Sequence, residues 1–177
     1  MPDMQPGDME LVSQPLDLLG LNVYSGDYVR AADNDDGYAV VQVQRGHPHM
    51  DMDWFRLIPE VAYWSLRHVR DVFGFRGDMM VTENGCPCPD ELTPDGKVLD
   101  TARIMMLRAY LLELRRAIAE GIPLVGYFLW SLLDNFEWSH GYSKRCGIVW
   151  NSYETQTRIP KASARWYAQC IRENRVV

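Results

Sequence analysis

No run of basic residues occurs in this 177-residue sequence, and its formal net charge is -6. A chain short of positive charge lacks the electrostatic footprint for a phosphate backbone, so nucleic acid is not an expected partner. Long hydrophobic runs are missing too. The apolar stretches, such as residues 16–24 and 124–130, fall far short of the ~20 residues a membrane span needs, so no membrane partner is expected. The first residues, Met1-Pro2-Asp3-Met4-Gln5-Pro6-Gly7-Asp8, have neither a positive n-region nor an apolar h-region, and no lipidation motif follows. The expected location is therefore the cytoplasm. No C-x-x-C pair is present: the four cysteines are Cys86, Cys88, Cys146 and Cys170, and Cys86-Pro87-Cys88 has the wrong spacing for a zinc or redox site. All four read as free thiols. His47-Pro48-His49 with Asp51 and Asp53 reads as a polar loop rather than a ligand set, so neither metal nor cofactor is expected.

What is present suits one soluble domain over residues 1–177, with ordinary apolar and charged fractions. Residues 1–15 carry three prolines and read as an irregular lead-in. Residues 16–24, Leu-Asp-Leu-Leu-Gly-Leu-Asn-Val-Tyr, predict a strand buried on both faces of a parallel sheet. A long excursion over 25–57 turns at Asp33-Asn34-Asp35-Asp36-Gly37 and returns through a short strand in 38–44. Pro59 suits the first position of a helix whose inner face is Ala62, Leu66, Val69 and Phe73, ended by Gly74. A strand climbs through Met79, Met80 and Val81. Asp100 then caps a long helix with Ile104, Leu107, Leu111, Leu114 and Ile118 on its apolar stripe, stopped by Gly121. Residues 124–130 predict a third strand, residues 146–159 a small hairpin, and Pro160 a last helix burying Trp166, Cys170 and Ile171.

Strand–helix alternation of this kind predicts an α/β fold with a parallel sheet. Its polar tips all fall at strand C-termini: Asn22 and Tyr24, then Glu83, then Trp130 with Glu137 and Trp138. Such ends are where barrels and open α/β sheets carry their chemistry. Glu83, followed by the turn pair Asn84-Gly85, is the centre of this arrangement. Taken alone it reads equally as a strand-ending carboxylate facing water. Convergence of aromatic and carboxylate groups from three strands favours a site.

These motifs resemble a known family. Thr82-Glu83-Asn84-Gly85 looks like the nucleophile motif of the family 1 glycoside hydrolases, the retaining β-glucosidases and their relatives. Trp130 through Trp138, then Gly141-Tyr142-Ser143-Lys144-Arg145, resembles that family's sugar-binding loop after the eighth strand. Leu18-Leu19-Gly20-Leu21-Asn22-Val23-Tyr24 is similar to its sixth strand, and residues 158–167 match as well. The resemblance implies a partial (β/α)8 TIM barrel of about three C-terminal βα units, strands six to eight. It implies Glu83 as the nucleophile, Tyr24 as the group that orients it, and Asn22, Trp130, Glu137 and Trp138 as sugar-binding residues. The implied partner is a β-glycoside or glucose. Where Cys146 stands the family usually has an aromatic residue, so that wall of the glycone site is smaller.

One departure governs the functional expectation. Retaining chemistry needs two carboxyl groups about 5–5.5 Å apart. The family's acid/base Glu belongs to an Asn-Glu-Pro motif after the fourth strand, and this tripeptide does not occur here. The chain is expected to be the nucleophile-bearing C-terminal part of a retaining β-glucosidase, inactive alone. It would work with a complementing N-terminal half, or self-associate. The alternatives are a non-catalytic sugar-binding module and a structural remnant of the barrel.

Overall fold

The computed structural model describes residues 3–177. Its element order is α1 (Asp8–Val12), β1 (Leu18–Asn22), β2 (Val29–Ala31), β3 (Tyr38–Val40), α2 (Glu60–Asp71), β4 (Asp78–Asn84), α3 (Thr101–Ala119), β5 (Leu124–Leu129), β6 (Val149–Asn151), β7 (Arg158–Pro160) and α4 (Ala162–Glu173). A three-stranded parallel sheet in the order β1-β4-β5 is the frame. Parallel neighbours need crossovers, and α2 and α3 supply them. Two small antiparallel pairs complete the chain: β2 with β3 in the excursion, and β6 with β7 before α4.

The core lies between the sheet and its helices. Met79 and Val81 of β4 pack there with Leu66 of α2 and with Met106, Leu107 and Tyr110 of α3. The opposite face of the sheet is open. Leu18, Val125 and Phe128 are exposed, and so is Gly20. This corrects the expectation for the first strand, which is not buried on both faces. As an edge strand it covers only Leu19 and Leu21, which pack against the core.

Other differences are local. The lead-in contains the short helix α1. Val29–Ala31 forms a strand that its own residues do not announce. It exists because β3 returns beside it, with Ala31 opposite Tyr38. Pro59 occupies the position before the first turn of α2, one residue earlier than expected. Phe73 lies past the end of that helix and points to solvent, and Gly74 ends the segment with φ 73°. The buried stripe of α3 runs through Arg103, Leu107, Tyr110, Leu114 and Ala117, so Ile118, one residue off it, is exposed. Pro160 closes β7 and Lys161 precedes α4. In that helix Cys170 is buried while Ile171 faces out. Asp100 does stand at the cap position of α3, yet its carboxylate serves another helix. Its Oδ1 accepts the Ser163 N–H of α4 at 2.9 Å, satisfying a donor that a helix start leaves free.

A buried chain of ion pairs fastens the loops to the helix starts. Lys161, 0% exposed, sends Nζ to Asp90 Oδ2 at 2.5 Å and to Asp134 Oδ1 at 2.7 Å. Arg103 joins Asp90 at 2.8 Å and also bonds Asp100, and Arg145 joins Asp134 at 2.7 Å. Three carboxylates and three cations therefore balance. Paired charges of this kind add little net stability, but removing one leaves its partners uncompensated in a dry interior. Lys161→Met strips the cation from between Asp90 and Asp134 and is expected to destabilise the fold by about 3–5 kcal/mol. The shift of the urea unfolding midpoint measures this. A loss below about 1 kcal/mol, as at an unremarkable surface position, contradicts the role given to the network.

Candidate active site

The site begins with an irregularity in β4. Leu19 pairs with Met79 and Leu21 with Val81, all on the helix face, while Gly20 pairs with Met80 on the open face. Strict alternation would place residue 83 on the helix face with 79 and 81. The register slips by one residue between Leu21 and Asn22, so that Asn22 pairs with Glu83. Thr82 is the extra residue. A bulge of this kind re-aims the side chains beyond it, and here it turns Glu83 towards the open face beside Asn22. The Thr82 hydroxyl donates to Asn22 Oδ1 at 2.7 Å and fixes the slip.

Behind Glu83, Asn84 stitches the three strands together. Its Nδ2 donates to the Val23 carbonyl at 2.7 Å, and Tyr127 Oη donates to its Oδ1 at 2.8 Å. The Trp130 N–H donates to the Asn84 carbonyl at 2.8 Å, continuing the ladder beyond β5. Gly85 then lets the two strand ends close up. A Cβ on it would stand 1.6 Å from the Trp130 carbonyl oxygen, so no other residue fits there.

Glu83 lines a cleft of about 330 Å³ together with Asn22, Tyr24, Trp130, Glu137 and Trp138. All six residues singled out from the sequence thus border one cavity. Tyr24 Oη donates to Glu83 Oε2 at 2.8 Å. Burial, reinforced by the Glu83 bond and charge, pushes the Tyr24 phenol well above its ordinary pKa. The phenol therefore stays a donor and Glu83 the acceptor. Tyr24 is held from below by Tyr110, whose hydroxyl donates to the Tyr24 carbonyl at 2.6 Å. Glu137 Oε2 accepts from Trp130 Nε1 at 3.4 Å and from Cys146 Sγ at 3.6 Å. Burial, with Glu137 alongside, pushes the Cys146 thiol up to about 12, so it too remains a donor. Trp138, 82% exposed and with φ 42°, stands at the rim on a single 3-10 turn. The peptide between Trp130 and Ser131 is cis.

The chemistry open to this arrangement follows. Each carboxylate has one oxygen engaged by the protein. Among the described residues, neither Glu83 Oε1 nor Glu137 Oε1 receives a donor, so both are available to the cleft. The indoles and Tyr24 supply flat apolar faces beside these acceptors. Such a mixture suits a ligand with several hydroxyls and a C–H face. Asp134 lies behind the site in the ion-pair chain and does not border the cleft.

Sequence reasoning missed one wall. Met52, Trp54 and Phe55 of the excursion also line the cleft. Trp54 stacks on Phe55 at 5.1 Å, and both rings meet Tyr24 edge-on at 6.3 and 6.1 Å. Adjacent aromatics inside a long polar excursion were the available signal. Lys144 reaches Asp51 at 2.8 Å and ties this wall to the loop after β5. The histidines of the excursion make local bonds instead, His47 Nε2 with the Leu57 carbonyl and His49 Nδ1 with the Met50 carbonyl. Among the described residues no three His, Cys, Asp or Glu side chains are grouped to hold an ion, and no helix is long and apolar enough to cross a membrane.

Known proteins resemble this chain over nearly all of its length. A 1,4-beta-D-glucan glucohydrolase from Thermotoga neapolitana is 44% identical over 98% of this chain, and beta-glucosidase A from Thermotoga maritima is 42% identical over 98%. In each case the chain spans only 38% of the relative's length. Among solved structures, the family 1 β-glucosidase from Thermotoga maritima superposes with a TM-score of 0.85 at 40% identity, covering 96% of this chain and 38% of that one. A beta-glucosidase from Thermotoga maritima in complex with glucoimidazole matches this chain with 42% identity and a TM-score of 0.84, covering 95% of this chain and 37% of that one. The model of glycosyl hydrolase family 1 matches residues 1–176, and the chain belongs to that family.

Proposed function

We propose that this chain is the nucleophile-bearing part of a retaining β-glucosidase that hydrolyses terminal β-D-glycosides. Its three parallel strands correspond to the sixth to eighth of a (β/α)8 barrel. In this reading Glu83 attacks the anomeric carbon and forms a glycosyl-enzyme. Tyr24 orients the carboxylate by donating to Oε2. Trp130 forms the platform under the glycone ring, Glu137 takes hydrogen bonds from a pair of sugar hydroxyls, and Asn22 and Trp138 complete the binding wall.

The observation that carries the proposal is the Tyr24–Glu83 hydrogen bond of 2.8 Å, made at a strand end inside the cleft that Trp130 and Glu137 share. Among the described residues, the carboxylates bordering that cleft are Glu83 and Glu137. Glu137 is already tied to Trp130 and Cys146 and is assigned to hydroxyls, so the proton donor is assigned to a different segment of the barrel. The exposed Leu18, Val125 and Phe128 on the open face of the sheet support the same reading, because a closed barrel buries its interior side chains.

A second reading, a sugar-binding module without turnover, is favoured by one observation. The groups assigned to binding all belong to this chain, whereas the acid does not. The two readings separate by experiment. The chain alone is expected to release no glucose from cellobiose. Mixed with the N-terminal remainder of a family 1 barrel it is expected to release glucose, and Glu83→Gln to abolish that release. Hydrolysis by the isolated chain, or full activity in the Glu83→Gln mixture, overturns the assignment. Glucose titration followed by tryptophan fluorescence is expected to show saturable quenching that Trp130→Ala removes. A flat signal in the native chain counts against a formed half-site and against the binding module alike.

A further inference from the structure

The pair Cys86-Pro87-Cys88 lies on the loop that leaves β4 directly after Glu83, and the functional reading makes no use of it. Both thiols are buried, at 1% and 4% exposure, and their sulfurs stand 3.9 Å apart within hydrogen-bonding reach. Cys86 borders the cleft, so a small solute in it meets this loop. The loop is braced at both ends. Arg103 Nε donates to the Cys86 carbonyl at 3.2 Å, and the Cys88 N–H donates to the Arg145 carbonyl at 3.2 Å. Two residues apart in sequence, the sulfurs are held near one another, and closing to a disulfide would shorten their 3.9 Å separation to ~2.05 Å. We propose that Cys86 and Cys88 are a peroxide-sensitive dithiol that closes to a reversible disulfide at the edge of the cleft.

The two thiols are electrostatically unequal, which suits this chemistry. The hydrogen bond from Cys86, together with the nearby Arg103 guanidinium, holds Cys88 below the usual thiol range despite its burial. Burial and the neighbouring Cys88 hold Cys86 well above that range. Of the two, Cys88 is therefore the more readily ionised and Cys86 the one that keeps its proton. The Cys88 thiolate attacks one peroxide oxygen and the O–O bond breaks. This leaves Cys88 sulfenic acid and hydroxide, which takes a proton from solvent to become water. Cys86 sulfur then attacks the Cys88 sulfur. The S–O bond breaks, and the departing hydroxyl leaves with the Cys86 proton as a second water. In sum, two thiols and one hydrogen peroxide give one disulfide and two waters.

The experiment uses the native chain. It is treated with hydrogen peroxide, denatured, alkylated with iodoacetamide and digested with trypsin. The expected result is a fall from four alkylated cysteines to two, with residues 77–97 carrying none and restored to two by prior dithiothreitol. Full alkylation of that peptide after peroxide overturns the proposal. So does a bridge from either cysteine to Cys146 or Cys170, or oxygen retained on the sulfurs that dithiothreitol does not remove. Cys88→Ser is a second arm: it is expected to leave Cys86 alkylatable after peroxide, and loss of Cys86 alkylation there contradicts the assignment of Cys88 as the attacking thiol.

Discussion

Strand β4 must satisfy two demands that a regular strand cannot meet together. Met79 and Val81 have to bury themselves against α2 and α3, and a strictly alternating strand would send residue 83 the same way. A carboxylate there would be desolvated among apolar side chains without a partner, which is costly. The slip at Thr82 resolves the conflict. It leaves the core contacts intact and turns Glu83 to the open face, where Tyr24 meets it. Everything assigned to the cleft depends on that one-residue irregularity.

The slip survives because its surroundings leave it little freedom. Thr82 is tied to Asn22, Asn84 is tied to β1 and β5, and Gly85 allows the Trp130 backbone to close over the strand end. Further out, the ion pairs among Asp90, Asp100, Arg103, Asp134, Arg145 and Lys161 fix the loops after β4 and β5 to the starts of α3 and α4. Buried charges of this kind contribute geometry more than net stability. The walls of the cleft stand on loops, and loops hold position only when their polar groups are satisfied.

Much of this was legible from residue order alone, because hydrophobic periodicity and glycine signals are local. The parallel strands, the two crossover helices, the stops at Gly74 and Gly121 and the hairpin before α4 all follow from such signals. The convergence of Asn22, Tyr24, Glu83, Trp130, Glu137 and Trp138 was legible as a pattern of polar strand ends. What escaped depends on partners distant in sequence. Asp100 carries a capping residue's signature, yet its carboxylate is used by Ser163 of another helix. Arg103 and Lys161, which no local pattern singles out, are among the most deeply buried side chains. Leu18 reads as buried and lies on the open face, because an apolar run reports that a face is apolar and not whether this chain covers it.

The central proposal is that Glu83 is a nucleophile presented to a sugar. A 2,4-dinitrophenyl β-glucoside needs no proton donor for its leaving group, so it tests that carboxylate independently of any acid. Intact-mass and peptide mass spectrometry of the chain, alone and with an N-terminal barrel segment, reads the outcome. The account predicts one glucosyl group on the peptide bearing Glu83, absent in Glu83→Gln. An adduct on Glu137 or another residue, or no adduct in either setting, contradicts it.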